Sequence, residues 1–594
     1  MLAIRAGGCT NPGCAPRACH EWLSLIGALM AEILAAAKRI GNGGWWAAPA
    51  GAWRAGGLRS PWTLAAFALA ALVATPVLVV LGTLLTPRPD VWAHLWRTQL
   101  GELLANTFLL LLGVAIGAGV LGTSLAWLVA MYRFPGRGIF EWALLLPLAM
   151  PAYVIGFAFL GLLDFAGPVQ TGLRALLGQG FRLPEFRSYG GVVAAMTLVL
   201  YPYVYLLARA AFLEQRAGTL EVARSLGRTP FQVFVSVALP MARPAIAAGV
   251  ALASMEALAD FGTVSTFGYR TLTEGVYRVW FGMFDRTAAG QLAALLMLAA
   301  GALLLLERWA RGQARFTQAQ GRRAAAEPPR LASAAGGAAA LACAAVLAAA
   351  LAVPLGVLVA WATEAVRSGA VASTYPALVR HTVGLALGAA ALTTLAAVAL
   401  AYGIRLAPSP ALRAAARVAG LGYAVPGAVV AVGILLVLAR ADRAVLGLAR
   451  HTAGGDAALL LTGSVAGLLA AYTVRFLALG LQSVEAGMAR IAPSLDEVAR
   501  TLGARPGRIL ARIHFPLLRG ALLTGALLVF VDVMKEMPAT MLIRPFGMDT
   551  LAVEVWQRTA EAQWHEAAVP ALTIVAAGIV PVIALTRLVR RRGA

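Results

Sequence analysis

The sequence predicts an all-α, polytopic membrane protein with about twelve transmembrane helices in two homologous six-helix halves. Sixty per cent of the 594 residues are hydrophobic and only 13% are charged, whereas a soluble globular chain has about 25% charged residues. Apolar runs of about 18 residues or more recur along the chain, as in membrane-spanning helices. A segment that begins at Glu221 also recurs at Glu497, 276 positions later. Together these observations predict a doubled membrane domain.

Twelve apolar runs are long enough to cross a membrane, six on each side of a basic stretch near 310–330. They are 62–86, 103–132, 140–163, 190–212, 243–266, 287–306, 333–362, 380–404, 416–439, 457–478, 520–543 and 566–586. The chain is therefore divided into a leader (1–60), a first half (61–310), a basic cytoplasmic linker (311–332) and a second half (333–594).

The leader does not fit the membrane pattern. It contains Cys9, Cys14, Cys19 and His20, but their spacing is not one of the familiar zinc patterns. We predict no metal site there, and expect a disordered segment or a misassigned start.

The charges predict an orientation. The formal net charge is +22, which in a soluble protein would suggest nucleic acid as a partner. Here the arginines are concentrated in alternate loops between the predicted spans, which is the bias of cytoplasmic loops. We therefore expect no nucleic acid partner, and place both termini and both copies of the repeat in the cytoplasm.

The two copies of the repeat have the same length and carry Glu, Gly, Pro and Arg at matching places. They read EVARSLGRTPFQVFVSVALPMARPAIAAG from Glu221 and EVARTLGARPGRILARIHFPLLRGALLTG from Glu497. In the second copy, Ser494 and Glu497 have the spacing of a capping box. Gly503 suits a helix C-terminus. Each copy therefore predicts a short cytoplasmic helix–turn–helix.

The rest of each copy predicts what the short helix does. Pro506 suits the start of a second helix, and Pro516 is expected to end or kink that helix. A two-turn helix is not stable alone in water. Its small apolar face with charged flanks fits docking into a groove of a partner protein.

The repeat resembles the EAA loop of ABC-importer permeases, since both copies read E-V-A-R-[ST]-L-G with a proline further on. The second motif residue is Val here (Val222, Val498), where the family name implies Ala. The resemblance implies a MetI-like permease fold and assigns the coupling to an ATPase to eight residues. These are Glu221, Ala223, Gly227, Pro240, Glu497, Ala499, Gly503 and Pro516.

The resemblance also implies partners. It implies two copies of a nucleotide-binding ATPase subunit, a periplasmic or extracellular substrate-binding protein and a location in the bacterial cytoplasmic (inner) membrane. The sequence contains no G-x-x-x-x-G-K-[ST] phosphate loop. We therefore expect a transport subunit and not an enzyme, with no catalytic residues and no bound cofactor, because partner subunits use the ATP.

Four acidic residues inside predicted spans are candidates for the substrate pathway. Glu256 and Asp260 are four residues apart on one face of the fifth span, and Asp532 and Glu536 occupy the equivalent positions in the eleventh. Charged groups at membrane depth usually face a bundle interior or a water-filled cavity, and carboxylates suit hard cations. A structural ion pair with Lys535 remains open as the alternative.

Other sequence features are weaker candidates. Tyr201, Tyr203 and Tyr205 are more consistent with packing or interface anchoring than with substrate contact. Pro151 and Pro426, at equivalent places in the two halves, are expected to bend helices near the pathway.

Several solutes remain open. Two stretches, 259–268 and 532–547, most resemble the ferric-iron permeases, so ferric iron is the first expectation. Thiamine, phosphonate and other small-solute permeases share the loop motif. An ion-coupled secondary transporter could use the acidic pairs but does not explain the duplicated loop. An enzyme embedded in the membrane is the weakest alternative, because the spans show no paired His/Glu metal motif.

Overall fold

The computed structural model describes residues 61–86, 88–215, 227, 229–311, 328–406, 409–453 and 461–593. The predicted leader and most of the predicted linker lie outside these residues. In the described part the regular elements are helices, apart from one isolated β-bridge between Arg133 and Arg330. The predicted all-helical membrane architecture is confirmed. The division into leader, halves and linker stays a prediction.

The first half contains long helices interrupted by short ones. They are α1 (Pro61–Gly82), α2 (Pro89–Thr98), α3 (Leu100–Met131), α4 (Arg137–Ala143), α5 (Ala152–Leu163), α6 (Pro168–Leu177), α7 (Tyr189–Gln215), α8 (Pro230–Val233), α9 (Leu239–Ala259), α10 (Gly262–Thr266), α11 (Leu272–Gly282) and α12 (Arg286–Arg311).

The second half repeats this order. It contains α13 (Ser333–Leu347), α14 (Val353–Arg367), α15 (Tyr375–Leu406), α16 (Pro410–Gly420), α17 (Gly427–Ala453), α18 (Val465–Met488), α19 (Pro493–Thr501), α20 (Pro506–Ile509), α21 (Phe515–Met534), α22 (Pro538–Ile543), α23 (Leu551–Ala560) and α24 (Trp564–Gly593).

Ten stretches of the described residues are long and apolar enough to cross a membrane. An eleventh is counted if the bent pair Pro410–Tyr423 and Gly427–Leu446 forms one span. The last predicted span corresponds to a shorter apolar stretch, Trp564–Ile579, within α24. The tenth predicted span, 457–478, was placed too early. Its helix begins at Val465, where the Ser464 side chain accepts a hydrogen bond from the Gly467 amide.

Prolines break the third and ninth predicted spans. Residues 140–163 contain α4, a 3-10 turn and then α5, which begins after Pro151. The bent pair in the second half turns by 115° before Gly427, next to Pro426. Proline disfavours the helical conformation in the residue before it, and Met150 and Val425 are accordingly extended, with ψ of 125° and 110°. The predicted bends are therefore breaks.

Three other prolines are accommodated by a wider helical turn. Five-residue π-helical turns lie at Phe234–Ala238, Ala348–Ala352 and Leu510–His514. Each ends two residues before a proline, at Pro240, Pro354 and Pro516 respectively. Proline lacks the amide hydrogen and its ring clashes with the preceding turn, and an inserted π turn relieves that conflict. The helix does not end at Pro516, because α20, the π turn and α21 form one candidate span, Pro506–Met534.

The first candidate span of each half packs against the other half; in the second half this span contains α13 and α14. Helix α1 contacts α15, α16 and α17 of the second half, with Trp62 edge-on to Tyr402 at 5.1 Å between ring centroids. Helix α14 contacts α5 of the first half, with Trp361 stacked on Phe157 at 6.3 Å. The two halves are therefore interlocked along one continuous apolar core.

Candidate transport pathway and coupling surface

A cavity of about 110 Å³ lies between the two halves. Its lining comes from α5, α7, α9, α10, α18, α21 and α22 and the turns beside them. All four acidic residues predicted for the pathway line it: Glu256, Asp260, Asp532 and Glu536. Two cations, Arg475 and Lys535, line it as well. The cavity therefore has a formal excess of two negative charges.

The sequence pattern predicted that Asp260 and Glu536 lie inside the long spans. The structure places both residues after the ends of the long helices. Helix α9 ends at Ala259 and α21 ends at Met534. The chain then breaks and starts the short helices α10 and α22. The prediction that Glu256 and Asp260 share one helical face is therefore wrong.

Asp260 holds the start of α10. Its Oδ1 accepts a hydrogen bond from the Thr263 amide at 2.7 Å, and its Oδ2 accepts one from the Thr263 hydroxyl at 3.0 Å. A carboxylate at the start of a helix satisfies amide groups that have no helical partner. This pattern gives Asp260 a structural role.

Glu536 holds the start of α22 in the same way. Its two carboxylate oxygens accept hydrogen bonds from the Ala539 amide at 2.9 Å and the Thr540 amide at 3.0 Å. The Thr540 hydroxyl donates a third at 2.7 Å. Arg475 donates to the same carboxylate at 3.1 Å, and Glu536 is only 4% exposed. Both oxygens of the Glu536 carboxylate are therefore occupied by hydrogen bonds within the protein.

Glu256 and Asp532 have fewer partners. Glu256 accepts a hydrogen bond from the Tyr423 hydroxyl at 2.7 Å. Asp532 forms an ion pair with Lys535 at 2.9 Å. The structural ion pair that the sequence left open is therefore present at Asp532, whereas the hydrogen-bond partner of Glu256 is the neutral Tyr423 hydroxyl.

Three cavity residues were not predicted for the pathway. Arg475 was visible as a single arginine inside a predicted span, which is the kind of residue that marks an interior site. Tyr423 and Tyr153 gave no such signal. The Tyr153 hydroxyl is buried beside the cavity and has no hydrogen-bond partner among the described residues.

The three tyrosines of α7 have different surroundings. Tyr201 donates to the Leu144 carbonyl at 2.9 Å and Tyr205 donates to the Glu141 carbonyl at 3.1 Å. Both are fully buried and fix α7 to the segment around α4. Tyr203 lines the cavity. Packing, as expected, accounts for the first two.

Two hydrogen bonds join the halves next to the cavity, and we call them the clasp. Tyr277 of α11 donates to the Pro538 carbonyl at the start of α22 at 2.6 Å. Trp556 of α23 donates its indole N–H to Ser265 Oγ of α10 at 2.6 Å. In each half, one aromatic side chain therefore donates a hydrogen bond across to the other half. Tyr277 of α11 contacts α22, and Trp556 of α23 contacts α10. The clasp residues belong to the segments that follow α9 and α21, the helices that the repeated loops precede.

The second repeated loop forms the predicted helix–turn–helix. Helix α19 begins with Pro493 at its first position, and no side chain caps it. The predicted Ser494–Glu497 capping box is therefore absent, because the helix starts at Pro493, two residues earlier than that box requires. Pro506 starts α20, as expected.

The end of α19 confirms the role expected of Gly503. The Gly503 amide donates to the Arg500 carbonyl at 2.9 Å, and the Ala504 amide donates to the Ala499 carbonyl at 3.0 Å. These two bonds form a Schellman motif, which needs a left-handed residue. Gly503 has that conformation, with φ of +78°.

One face of α19 is apolar and exposed. Leu495 is 43% exposed, Val498 57% and Leu502 81%. Their spacing of three and four residues places them on one side of the helix. Glu497 is also exposed, whereas Ala499 is buried against the protein. This face has the composition of a docking surface.

The first repeated loop is described only in part. Glu221 and Ala223 lie outside the described residues. Gly227 has φ of +78°, the same value as Gly503. Pro240 follows its π turn just as Pro516 does. The two loops therefore correspond where both are described.

Comparisons with known proteins agree with this architecture. The family model described as "Binding-protein-dependent transport system inner membrane component" matches residues 118–371 and 394–593. The Haemophilus influenzae Fe(3+)-transport system permease protein FbpB 2 is 28% identical over 497 residues, which are 83% of this chain and 91% of that protein.

Two shorter relatives match part of the chain. The Escherichia coli sulfate transport system permease protein CysT is 31% identical over 36% of this chain and 78% of its own length. The Thermococcus kodakarensis molybdate/tungstate transport system permease protein WtpB is 26% identical over 43% of this chain and 99% of its own length. Relatives named for three different solutes are therefore similar to this chain.

Proposed function

Since the chain belongs to the binding-protein-dependent transport system inner membrane components, we propose that it forms the pathway by which an ATP-driven importer moves ferric iron across the membrane. It is a multi-pass ABC permease, a transport component that works with ATPase and substrate-binding proteins. The solute, the number of ATPase subunits and the orientation are parts of the proposal. Two ATPase subunits, one at each repeated loop, and both termini in the cytoplasm are what we propose.

The charge of the cavity is the observation that favours a cation. Four carboxylates and two cations line it. Arg475 is paired with Glu536 and Lys535 with Asp532, which leaves no lining cation for an oxyanion. Carboxylate and phenol oxygens are hard ligands that suit hard cations. The relative with an Fe(3+) name also covers most of this chain. Sulfate and molybdate are therefore second candidates.

Glu256 and Asp532 are the carboxylates that we assign to the solute. Asp260 and Glu536 hold the ends of short helices, so we assign them to the shape of the pathway. Lys535 then acts as an internal cation that shares Asp532 until a cationic solute competes for it. The position equivalent to Lys535 in the first half is Ala259, which also lines the cavity.

The experiment is uptake into proteoliposomes that contain the permease with its ATPase and binding protein. Radiolabelled ferric iron, sulfate and molybdate are supplied in parallel. We expect ATP-dependent uptake of iron, with a fall of about tenfold or more in Glu256→Gln and Asp532→Asn at unchanged assembly. The matched control is Glu364→Gln, at an exposed glutamate of α14 far from the cavity lining. Uptake of an oxyanion in place of iron would overturn the assignment of the solute.

A further inference from the structure

Three charged or polar side chains form a buried triad beneath α19. Arg405 Nε donates to Asp496 Oδ2 at 2.6 Å. His514 Nε2 lies 2.6 Å from Asp496 Oδ1. Asp496 is 6% exposed and His514 is fully buried. Asp496 belongs to α19 itself, Arg405 to the end of α15 and His514 to the π turn before α21.

Arg405 also fixes the segment that leads into α19. Its guanidinium donates to the Met488 carbonyl at 3.0 Å and to the Ile491 carbonyl at 3.0 Å. The planar fork of an arginine can make several such bonds in one fixed geometry. One side chain therefore holds both the short helix and the end of α18.

A second contact from α15 holds the other end of the loop. The Tyr402 hydroxyl donates to the Pro506 carbonyl at 2.7 Å, and its ring lies edge-on to His514 at 5.3 Å. The carbonyl of Pro506 is at the start of α20. Side chains from the last turn of α15 therefore form hydrogen bonds to the loop before, within and after α19.

The triad residues are not repeated at the equivalent positions of the first half. The equivalent positions, 275 or 276 residues earlier, hold Ala130, Leu220 and Ala238 in place of Arg405, Asp496 and His514. Ala130 and Ala238 are fully buried, and Leu220 lies outside the described residues. All three positions have changed together from polar to apolar. In place of Tyr402 the first half has Trp127, which packs on Phe212 and Phe234.

We propose that the Arg405–Asp496–His514 triad makes the second loop the rigid transmission element of the permease, so that the two ATPase docking sites couple unequally to the membrane helices. A buried, hydrogen-bonded ion pair resists displacement because separating its members leaves a charge without a partner in a dry environment. When α19 moves, the triad therefore makes α15 and α21 move with it. The proposal rests on the proposed coupling to an ATPase.

Arg405→Gln and Asp496→Asn test the triad. Both remove charge with little change of volume, and we expect each to leave assembly with the ATPase intact. The double variant is expected to be no worse than either single variant, because residues that share one interaction are not additive. Arg417→Gln, at an exposed arginine of the neighbouring α16, is the matched control.

The readout is a distance that does not depend on the solute. Spin labels are placed at Phe284→Cys and Phe546→Cys, which are 82% and 109% exposed and lie in the segments that follow α9 and α21, after replacement of the four native cysteines. In the unaltered triad we expect ATP with vanadate to change the label distance. In the triad variants we expect the population that changes to fall about tenfold, equivalent to about 1.4 kcal/mol of coupling free energy.

The possible results separate the two proposals. If the intact triad shows no nucleotide-dependent change, the proposed ATP coupling is wrong. If the intact triad and the variants change alike, the transmission role is overturned while the importer proposal stands. Loss of ATPase co-purification from the variants would assign the triad to docking and would also overturn it.

Discussion

At the scale of single residues, the four acidic candidates divide into two pairs with different functions. Asp260 and Glu536 accept hydrogen bonds from the amides of the short helices that follow them. Glu256 and Asp532 line the cavity, where Glu256 contacts the Tyr423 hydroxyl and Asp532 contacts Lys535. The two pairs are related by the repeat, so each half supplies one carboxylate for structure and one that we assign to the solute.

This division predicts that two similar substitutions affect different properties, one the stability of the protein and the other the uptake of solute. Glu536→Gln leaves Arg475 buried without its charge partner, which costs about 3 kcal/mol or more, so we expect a clear fall in the melting temperature. Glu256→Gln removes a charge that faces the cavity, so we expect nearly unchanged melting and reduced uptake. Thermal unfolding in detergent measures the first effect. Equal stability of the two variants would contradict the division.

The left-handed glycine that ends α19 gives a second residue-scale prediction. In Gly503→Asp the side chain disfavours the φ of +78° by roughly 1–2 kcal/mol, and its charge opposes the negative end of the helix dipole. We expect the variant to insert into the membrane but to lose ATPase docking, measured by co-purification.

Gly507→Asp is the control for this prediction. Gly507 lies in the same loop, has open space at its Cβ position and does not have a positive φ. If Gly503→Asp co-purified the ATPase as well as Gly507→Asp does, the coupling role of the loop would be lost.

At the scale of elements, the π turns explain how a helix continues through a proline. The residue before Pro516, Phe515, donates its amide to the Leu510 carbonyl five residues earlier. The same bond joins Leu239 to Phe234 before Pro240. An extra residue in the turn rotates the preceding segment relative to the following span. The π turn therefore sets the angle at which each loop meets its transmembrane helix.

Pro516→Ala tests this role of the π turn. Alanine restores an amide donor, so we expect the turn to relax toward regular α-helix and α19 to rotate away from its docking angle. Uptake is expected to fall while the melting temperature is kept or raised. Pro354→Ala, at the π turn that does not adjoin a repeated loop, serves as the control. Equal uptake in the two variants would show that the turn does not set the docking angle.

At the scale of the whole molecule, the interlocked halves and the clasp suggest how the pathway is closed. The clasp bonds of Tyr277 and Trp556 run in opposite directions between the halves. An intramolecular hydrogen bond contributes about 1 kcal/mol to stability. Separation of the two halves at the clasp must break both hydrogen bonds.

Tyr277→Phe with Trp556→Phe is therefore expected to favour opening at the clasp by about 2 kcal/mol. A cysteine at Ala259, in the cavity lining, should react faster with a membrane-impermeant thiol reagent. Tyr269→Phe is the control, because the Tyr269 hydroxyl donates to the Asn106 carbonyl within the first half. Unchanged labelling in the double variant would mean that the clasp does not close the pathway.

The sequence by itself determined the membrane class, the doubled organisation and the family, because apolar run length, composition and a long exact-length repeat are properties of the linear chain. It also located the acidic candidates, Gly503 and the prolines that interrupt helices. Helix ends within a few residues of a proline were less predictable: π turns and breaks satisfy the same local conflict, and the local sequence does not choose between them.

Only the tertiary structure decided which carboxylates are used internally and which face the cavity. Glu536 and Asp532 are chemically similar neighbours in sequence, and their difference arises from Arg475, 61 residues before Glu536, and from the break between α21 and α22. The triad likewise joins side chains up to 109 positions apart in the chain. Burial in a low-dielectric interior makes such partners decisive, and partners so distant in sequence are fixed by packing alone.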